Sequence, residues 1–277
     1  MSDEQNDKQE QLNENGAAAT TPQATENAPA KRQTKPPADS IGGMIEKLKP
    51  QIERALPKHV TADRLARVAL TAVRNNPSLQ QADAYSLMGS IMQSAQLGLE
   101  PNTPLGHCYI IPYRNGKTGE TDAQFQMGYQ GLIELASRAG VQVAAHVVDE
   151  ADEFAYSLGL GKSPHHVPAD TPSGNVTHYW AEYMLSDGRY NFAVWSKEQV
   201  TQHMKRYSKG YDRKDSAWQT AFDAMAKKTV IIDLLKYAPK AVEVAEATAA
   251  DNRSYRVNPE DPDLHLEATD ADFNVTE

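Results

Sequence analysis

The side chains that could take part in catalysis are one thiol and one group of carboxylates. Cys108 is the only cysteine, and a reactive thiol needs a neighbouring base or positive charge to form the thiolate. The adjacent His107 falls on the opposite face of the predicted strand, so we expect Cys108 to be structural. The carboxylates that could bind Mg²⁺ for nuclease chemistry are Asp149, Glu150, Asp152 and Glu153. A solvated turn between strands is the interpretation we favour for that group.

Other catalytic patterns are absent from the sequence or poorly spaced in it. His165 and His166 are adjacent in a predicted loop between two prolines, a spacing that does not direct both rings onto one metal ion. The sequence contains neither GxxxxGK[ST] nor GxGxxG, the glycine-rich patterns that hold nucleotide phosphates. We therefore predict no catalytic residue, no bound metal ion and no cofactor.

Basic and aromatic residues alternate in one tract, a composition typical of proteins that bind single-stranded nucleic acid. Residues 196–240 contain ten basic and five acidic side chains, interspersed with Tyr207, Tyr211, Trp218 and Tyr237. Lysine and arginine neutralise phosphates, and aromatic rings stack on unpaired bases. A solvated charged surface has the same composition, so this tract alone does not establish a function.

The net charge of the whole chain argues against nucleic-acid binding until it is divided along the sequence. The 277 residues carry a formal charge of −9. Residues 1–40 have seven acidic and four basic side chains, and residues 241–277 have ten acidic and two basic. The residues between them have 20 acidic and 22 basic side chains. The chain is thus a mildly basic body between two acidic ends.

These compositions predict the domain organisation. Residues 1–39 are polar and poor in large apolar side chains, so we expect a disordered acidic tail. Residues 40–240 are expected to fold, and residues 241–277 to form a second acidic and mostly disordered tail. The sequence has no run of 18 apolar residues and no apolar segment typical of a signal peptide. With a single cysteine, it is predicted to be cytoplasmic.

The apolar periodicity predicts an α+β fold, with N-terminal helices, an antiparallel β-meander with an inserted helix, and C-terminal helices. Among the helices, Pro50 is expected to end the first, and Thr61 and Asp83 to cap later ones. Asn115-Gly116 predicts a hairpin turn. The expected strands are 107–114, 122–127, 141–148, 154–158, 176–185 and 190–195. The expected later helices are 130–138, one beginning at Ser196, and a long one over 218–237.

Several short tracts, in this order and spacing, carry a family resemblance. They are Ser94 to Pro101, Leu105 to Tyr113, Gln126 to Ile133, Ala136 to Gly140, and Trp218 followed by Met225 to Thr229. Together they resemble the RecT-type family of phage and prophage single-strand annealing recombinases. The resemblance covers roughly Ile41 to Pro239.

The resemblance implies a function, an assembly and partners. Proteins of this family bind single-stranded DNA and anneal it to a complementary strand without ATP, giving a duplex. They form homo-oligomeric rings or helical filaments in the bacterial cell. They act beside a phage 5′–3′ exonuclease, and a host single-strand-binding protein is a further candidate partner. The implied core is similar to the strand–strand–strand–helix core of eukaryotic annealing recombinases, within a DNA-binding and annealing domain over residues 40–240.

The resemblance and the basic tract together predict residues that contact DNA. Lys227 and Lys228 match the paired basic residues of the family. Arg138 is expected either to contact a phosphate or to pair with a carboxylate. Tyr129, near two glycines, is expected either to lie against DNA or to pack at a tight turn. The other candidates are Arg114, Lys117, Lys197, Lys205, Arg206, Lys209, Arg213, Lys214 and Trp218.

Two functions of other classes remain as alternatives. A metal-dependent nuclease would use the acidic group near Asp149 and Asp152 to hold a divalent cation. A purely structural phage protein would assemble with itself but would not bind single-stranded DNA. Annealing of complementary strands in the absence of ATP separates both alternatives from a recombinase.

Overall fold

The elements follow the predicted order of helices, strands and helices. The computed structural model describes residues 38–58, 60–116, 118–208, 210–239, 242–251, 253–261 and 267–268. The helices are α1 (Ala38–Ala55), α2 (Ala62–Asn75), α3 (Pro77–Gln80), α4 (Ala84–Leu97), α5 (Tyr129–Arg138), α6 (Lys197–Tyr207), α7 (Ala217–Thr220), α8 (Phe222–Leu235) and α9 (Val242–Ala250). The strands are β1 (Cys108–Arg114), β2 (Thr121–Met127), β3 (Val141–Asp149), β4 (Glu153–Ser157), β5 (Ser163–Val167), β6 (Val176–Leu185), β7 (Tyr190–Ser196), β8 (Tyr255–Arg256) and β9 (Glu267–Ala268). The mixed α+β class is confirmed.

Helices α2 and α4 begin at the predicted capping residues Thr61 and Asp83, whereas α1 extends beyond its predicted limits at both ends. Thr61 accepts a hydrogen bond from the Arg64 amide at the start of α2, and Gly98 ends α4 in the left-handed conformation with φ 61°. The prediction that Pro50 ends the first helix is wrong, because α1 continues through it to Ala55. The apolar face of α1 is fully buried on both sides of the proline, so tertiary packing outweighs the missing backbone hydrogen bond.

The strands form small antiparallel sheets. β1 pairs with β2, and β3, β6 and β7 form a three-stranded sheet in the order β3-β6-β7. A hairpin of β4 and β5 is inserted between β3 and β6. The sequence pattern does not predict β5, because Pro164 cannot donate a backbone hydrogen bond and so disfavours a strand. Within the described ranges, β3 has a strand neighbour on one side, and its other edge is free of strands.

The two faces of β6 pack against different elements. Tyr179, Ala181 and Tyr183 point into the main core, which α5 and α8 cover from that side. Trp180 points to the opposite face, where it packs with Phe192 and other apolar residues under the β4–β5 hairpin. This alternation follows from the period of two in a strand. The sheet therefore has a helix-covered inner face and an outer face with a small apolar cluster.

The predicted helix over 218–237 is divided into two. Ala221 has φ −148° and ψ 52°, a conformation that interrupts the helical hydrogen bonds between α7 and α8. Trp218 lies almost completely buried in the short first part, with its ring 5.6 Å from that of Phe222 across the break. The break lets both aromatic rings enter the core.

Part of the C-terminal segment is ordered against the body. Residues 242–251 and 253–257, which we call the C-terminal strap, cross α4 and β2. Arg253 forms a β-bridge with Phe125, and the Val257 amide donates to the carbonyl of Tyr85 at 3.0 Å. Ala247 and Val257 are fully buried. The acidic composition suggests disorder for this segment, yet a few apolar residues at the right places anchor it.

The remaining parts of the two predicted tails lie mostly outside the described residues. Of residues 1–39, the structure describes Ala38 and Asp39, which begin α1. Beyond the strap it describes residues 258–261 and the short strand β9. Within the described ranges, each helix is either too short or too polar to cross a membrane.

Candidate nucleic-acid interface

Lys227 and Lys228 are neighbours on α8, but their side chains lie in different surroundings. Successive residues of an α-helix differ in direction by about 100°. The ammonium group of Lys227 lies 5.5 Å from the ring centroid of Tyr129 at a partly exposed surface. This is a cation–π contact that leaves the ammonium available to a further partner. The contact of Lys227 with a phosphate stays a prediction, and its partial exposure is compatible with it.

Lys228 is buried and forms an ion pair. Its Nζ lies 2.7 Å from Oδ2 and 2.9 Å from Oδ1 of Asp251 in the C-terminal strap. The same carboxylate accepts a hydrogen bond from the Met127 amide at 2.8 Å. In this conformation a phosphate cannot reach Lys228, so the predicted DNA contact does not fit its position. The lysine instead ties α8 to the strap.

Tyr129 begins α5, and its position depends on two glycines. A Cβ atom at Gly128 would lie 1.9 Å from the carbonyl oxygen of Gly106, and one at Gly131 would lie 2.1 Å from that of His107. Only glycine allows this close approach between α5 and the segment before β1. Gly128 precedes α5 and has no side chain to cap the first amides of the helix. Because Tyr129 is the first residue of α5, the positive end of the helix dipole lies beside the Tyr129–Lys227 pair.

An open cleft of about 510 Å³ lies next to Lys227, at the free edge of β3. Its lining includes His146, His166, Trp180, Glu182 and Lys227. The rings of His146 and Trp180 are stacked, with centroids 4.5 Å apart and planes 25° from parallel. They belong to a directly opposed pair on β3 and β6. The cleft thus combines one cation, one carboxylate and an aromatic wall.

The protonation of His146 follows from its surroundings. Burial lowers the pKa of His146 below its ordinary value of 6.5; the Glu182 carboxylate partly opposes this shift, and His166 and Lys227 lower the pKa further. The Oε1 atom of Glu182 lies 3.9 Å from Nε2 of His146, beyond hydrogen-bonding distance. Nε2 is itself a buried atom with no hydrogen-bond partner among the described residues. At neutral pH the imidazole is therefore uncharged.

The predicted basic loop is partly a helix. Lys197 is exposed at the start of α6, and Lys205 and Arg206 are exposed in its last turn. The guanidinium of Arg206 lies 5.2 Å from the ring centroid of Tyr207. This end of α6 presents a second cation–aromatic pair to solvent.

The rest of the predicted loop follows α6. Arg213 forms two hydrogen bonds with Asp215, of 3.1 and 2.8 Å, so its charge is already paired at the surface. Lys214 is exposed. Lys209 lies outside the described residues.

Two other residues predicted to contact DNA, Arg138 and Trp218, have side chains that are engaged in contacts within the protein. Arg138 donates to the carbonyl oxygens of Leu97 at 2.8 Å and Gly98 at 3.1 Å and pairs with Glu134, so it closes the end of α4. This geometry matches the expected pairing with a carboxylate. Trp218 is buried, which leaves no ring face for a base.

The hairpin end between β1 and β2 also contributes a basic residue. Arg114 is exposed at the last position of β1, opposite Thr121 of β2. Lys117, in the connection between these strands, lies outside the described residues. Arg114 is thus exposed to solvent at the hairpin end, and its contact with DNA stays a prediction.

The groups with catalytic side-chain types have structural roles. Asp149 accepts backbone hydrogen bonds from Ala151 at 2.9 Å and Ser173 at 2.8 Å. The Ala151 amide is the main reason that the pKa of Asp149 falls to about 2. Asp152 contacts His166 at 2.9 Å, and both side chains are buried. Across the described ranges, no three His, Cys, Asp or Glu side chains are grouped to hold a metal ion.

Cys108 is fully buried at the start of β1. Burial raises the pKa of its thiol to about 12, so the reactive thiolate does not form at neutral pH. The expectation of a structural thiol therefore agrees with its surroundings.

Sequence reasoning missed His146, Trp180, Glu182 and Asp251. Trp180 and Glu182 are two positions apart on a predicted strand, a spacing that places both on one face. This spacing predicts that Trp180 and Glu182 share a face of the sheet, but it does not predict that His146 lies opposite Trp180. The partnership of Asp251 with Lys228 spans 23 residues and leaves no local signal.

The sequence was compared with protein families and with known proteins, and it matches one family. The sequence model of the RecT family matches residues 63–264, a range that includes the C-terminal strap. Protein RecT of Escherichia coli (strain K12) is 38% identical over 210 residues, which are 74% of this chain and 77% of the relative. The uncharacterized protein YqaK of Bacillus subtilis (strain 168) is 30% identical over 242 residues, which are 84% of this chain and 81% of YqaK.

These matches confirm the resemblance that the ordered sequence tracts indicate, and they extend it beyond residue 239. The family is one of DNA-recombination proteins that bind single-stranded DNA, anneal strands and oligomerise. The matched range covers most of the sequence, and the chain belongs to the RecT family.

Proposed function

We propose that this chain anneals complementary DNA strands without ATP while assembled as a ring or helical filament. The observation that carries the proposal is the Lys227–Tyr129 pair at the start of α5. It joins a cation, an aromatic face and the positive end of a helix at one partly exposed surface. These are the components that hold a phosphate and an unpaired base together.

Annealing requires a grip on the backbone and access to the bases. Lys227 binds a phosphate, and the exposed cations Arg114, Lys197, Lys205, Arg206 and Lys214 extend the basic surface. The composition of the basic tract and the hairpin tip adds Lys117, Lys209 and Arg213 as further contacts. Base pairing between the two strands then supplies the specificity, and no covalent step is needed.

Assembly and partners follow from the same chemistry. One protomer of this size contacts few nucleotides, so a long strand needs many copies in head-to-tail contact, which gives rings or filaments. The protein binds strands that are already single, so another enzyme must produce them. A 5′–3′ exonuclease acting on duplex ends supplies such a strand, and a host single-strand-binding protein is a further candidate partner.

The direct test uses two complementary oligonucleotides, each labelled with one dye of an energy-transfer pair. The full-length protein is added without ATP, and annealing and strand length are followed together. We expect faster annealing with intact strands. Unchanged annealing by a protein that assembles but does not bind either strand would overturn the proposal and select the structural alternative.

The nuclease alternative has its own readout in the same experiment. Shortening of the labelled strands on addition of Mg²⁺, abolished by Asp149→Asn or Asp152→Asn, would identify a nuclease. We expect no shortening, since Asp149 already accepts a backbone hydrogen bond from Ala151, and Asp152 accepts backbone hydrogen bonds from Asp149 and Ala169.

A further inference from the structure

We propose that the cleft at the free edge of β3 is a nucleobase subsite, in which an unstacked base of the bound strand stacks on His146. This inference rests on the proposed function and names the part of the nucleotide that the cleft accepts. Lys227, which also lines the cleft, holds the phosphate of the same or the next nucleotide. Neither His146 nor Trp180 belongs to the basic tract that the sequence indicated.

The aromatic wall of the cleft is fixed by its neighbours. Trp180 covers one face of the His146 ring, and the Trp180 indole donates from Nε1 to Nδ1 of His166 at 3.1 Å. His166 in turn contacts Asp152 at 2.9 Å through its other ring nitrogen. This chain of contacts holds the indole in place, so the His146 ring rests on a rigid support. Preorganised aromatic rings lose little entropy when a ligand stacks on them.

The exposure of His146 leaves room for a ligand. Its side chain is 39% exposed, although its partner Trp180 is 6% exposed. His146 is one of the residues that line the cleft. Since the ring is uncharged at neutral pH, it presents an aromatic surface without the charge that would attract a phosphate. Stacking with a base is the interaction that such a surface offers.

The charges around the cleft determine which part of a nucleotide enters. Glu182 lies beside His146 and is 38% exposed, so its carboxylate repels a phosphate from the part of the cleft next to His146. Lys227 lines the same cleft and also contacts Tyr129 outside it. Lys227 attracts the phosphate, and Glu182, 3.9 Å from His146, repels it from the His146 side of the cleft. The base therefore lies against His146, and the backbone lies on the Lys227 side.

The test compares single strands that have bases with strands that lack them. The full-length protein is titrated onto a fluorescent oligonucleotide and onto an abasic strand with the same number of phosphates. His146→Ala should weaken binding to the normal strand by roughly 5- to 150-fold, the range that corresponds to the loss of one base stack. Binding to the abasic strand should change by less than about twofold, because the phosphate contacts remain.

A second variant separates stacking from a structural role. His146→Phe keeps an aromatic ring on Trp180 and should retain most of the affinity for the normal strand. Thermal unfolding of both variants shows whether the fold is intact. Equal losses on both strands, or no loss with His146→Ala, would overturn the subsite. If the wild-type protein binds neither strand, the proposed function itself fails.

Crosslinking provides a readout that needs no variant. A strand containing 5-bromouracil is bound to the wild-type protein, irradiated and digested, and the modified peptides are identified by mass spectrometry. We expect crosslinks on the β3 and β6 peptides that carry His146 and Trp180. Crosslinks confined to peptides outside the cleft would contradict the proposal even if His146→Ala does not fold.

Discussion

The Nζ atom of Lys228 lies 2.7 Å from Oδ2 of Asp251, and both side chains are more than 90% buried. The pair joins α8 to the C-terminal strap across 23 residues of sequence. The sequence does not distinguish the buried Lys228 from a lysine that binds DNA, because Lys228 follows directly after Lys227 in a basic pair. Their different surroundings make the two lysines separable by experiment.

Removal of one partner of this pair should destabilise the fold strongly. Lys228→Met and Asp251→Asn each leave a buried group without its charged partner, and we expect each to lower the free energy of unfolding by about 3–5 kcal/mol. Urea denaturation of the single and double variants measures the coupling. The double variant should lose less than the two single variants combined. Strictly additive losses would contradict the pairing.

Lys228 variants that remain folded should bind single-stranded DNA with the affinity of the wild type. This expectation departs from the sequence-based prediction that Lys228 contacts a phosphate. A clear loss of DNA affinity without a loss of stability would restore that prediction.

Lys227 should show the opposite behaviour. Lys227→Gln removes a surface cation, so single-strand affinity should fall. The slope of log K against log salt should become shallower by about 0.7 for each phosphate that the variant no longer neutralises. Titrations between about 50 and 200 mM salt measure the slope. Lys47→Gln, on α1 with its side chain 60% exposed, is the charge-matched control and should leave the slope unchanged. Parallel slopes for the wild type and Lys227→Gln would exclude a phosphate bound by Lys227.

Gly89 should be required for docking of the strap. A Cβ atom at this position of α4 would lie 2.0 Å from the carbonyl oxygen of Tyr255, and backbone atoms cannot move aside as a flexible side chain does. We expect Gly89→Ala to destabilise the protein by about 1–3 kcal/mol. Gly43→Ala on α1, where no atom lies within 4 Å of the new Cβ, should be neutral or stabilising. Chemical denaturation compares the two, and equal stabilities would refute the close approach.

Asp149 should contribute stability that disappears in acid. Its pKa of about 2 in the folded protein is below the ordinary 3.8, mainly because the Ala151 amide donates to the carboxylate. A lowered carboxyl pKa stabilises the fold above the ordinary value, and this stabilisation is lost as the pH falls towards the folded value. Asp149→Asn should therefore be less stable than wild type near neutral pH, and the difference should shrink between about pH 4 and 2. Unfolding free energies measured across this range test it, and a constant difference would exclude the carboxylate as its source.

Local chemistry in the sequence determines much of the fold. Thr61, Asp83 and Ser196 cap helices where their side chains predict it, because a capping oxygen needs only the amide two or three residues later. The period of two predicts most strands. The local rule for proline wrongly predicts that the first helix ends at Pro50, and it disfavours strand β5, which contains Pro164. In both cases packing or edge pairing tolerates the missing amide.

The ordered tracts of the sequence also determined the family, and with it the class of function. The tertiary structure decided which charged and aromatic residues are accessible. Lys227 and Lys228 are adjacent and chemically identical, yet one meets Tyr129 at the surface and the other meets Asp251 in the interior. Burial of a charge depends on a partner that the chain brings from a distant position. The sequence near the two lysines does not indicate that partner. Only the packing of the folded chain places Lys227 at the accessible surface and Lys228 in the core.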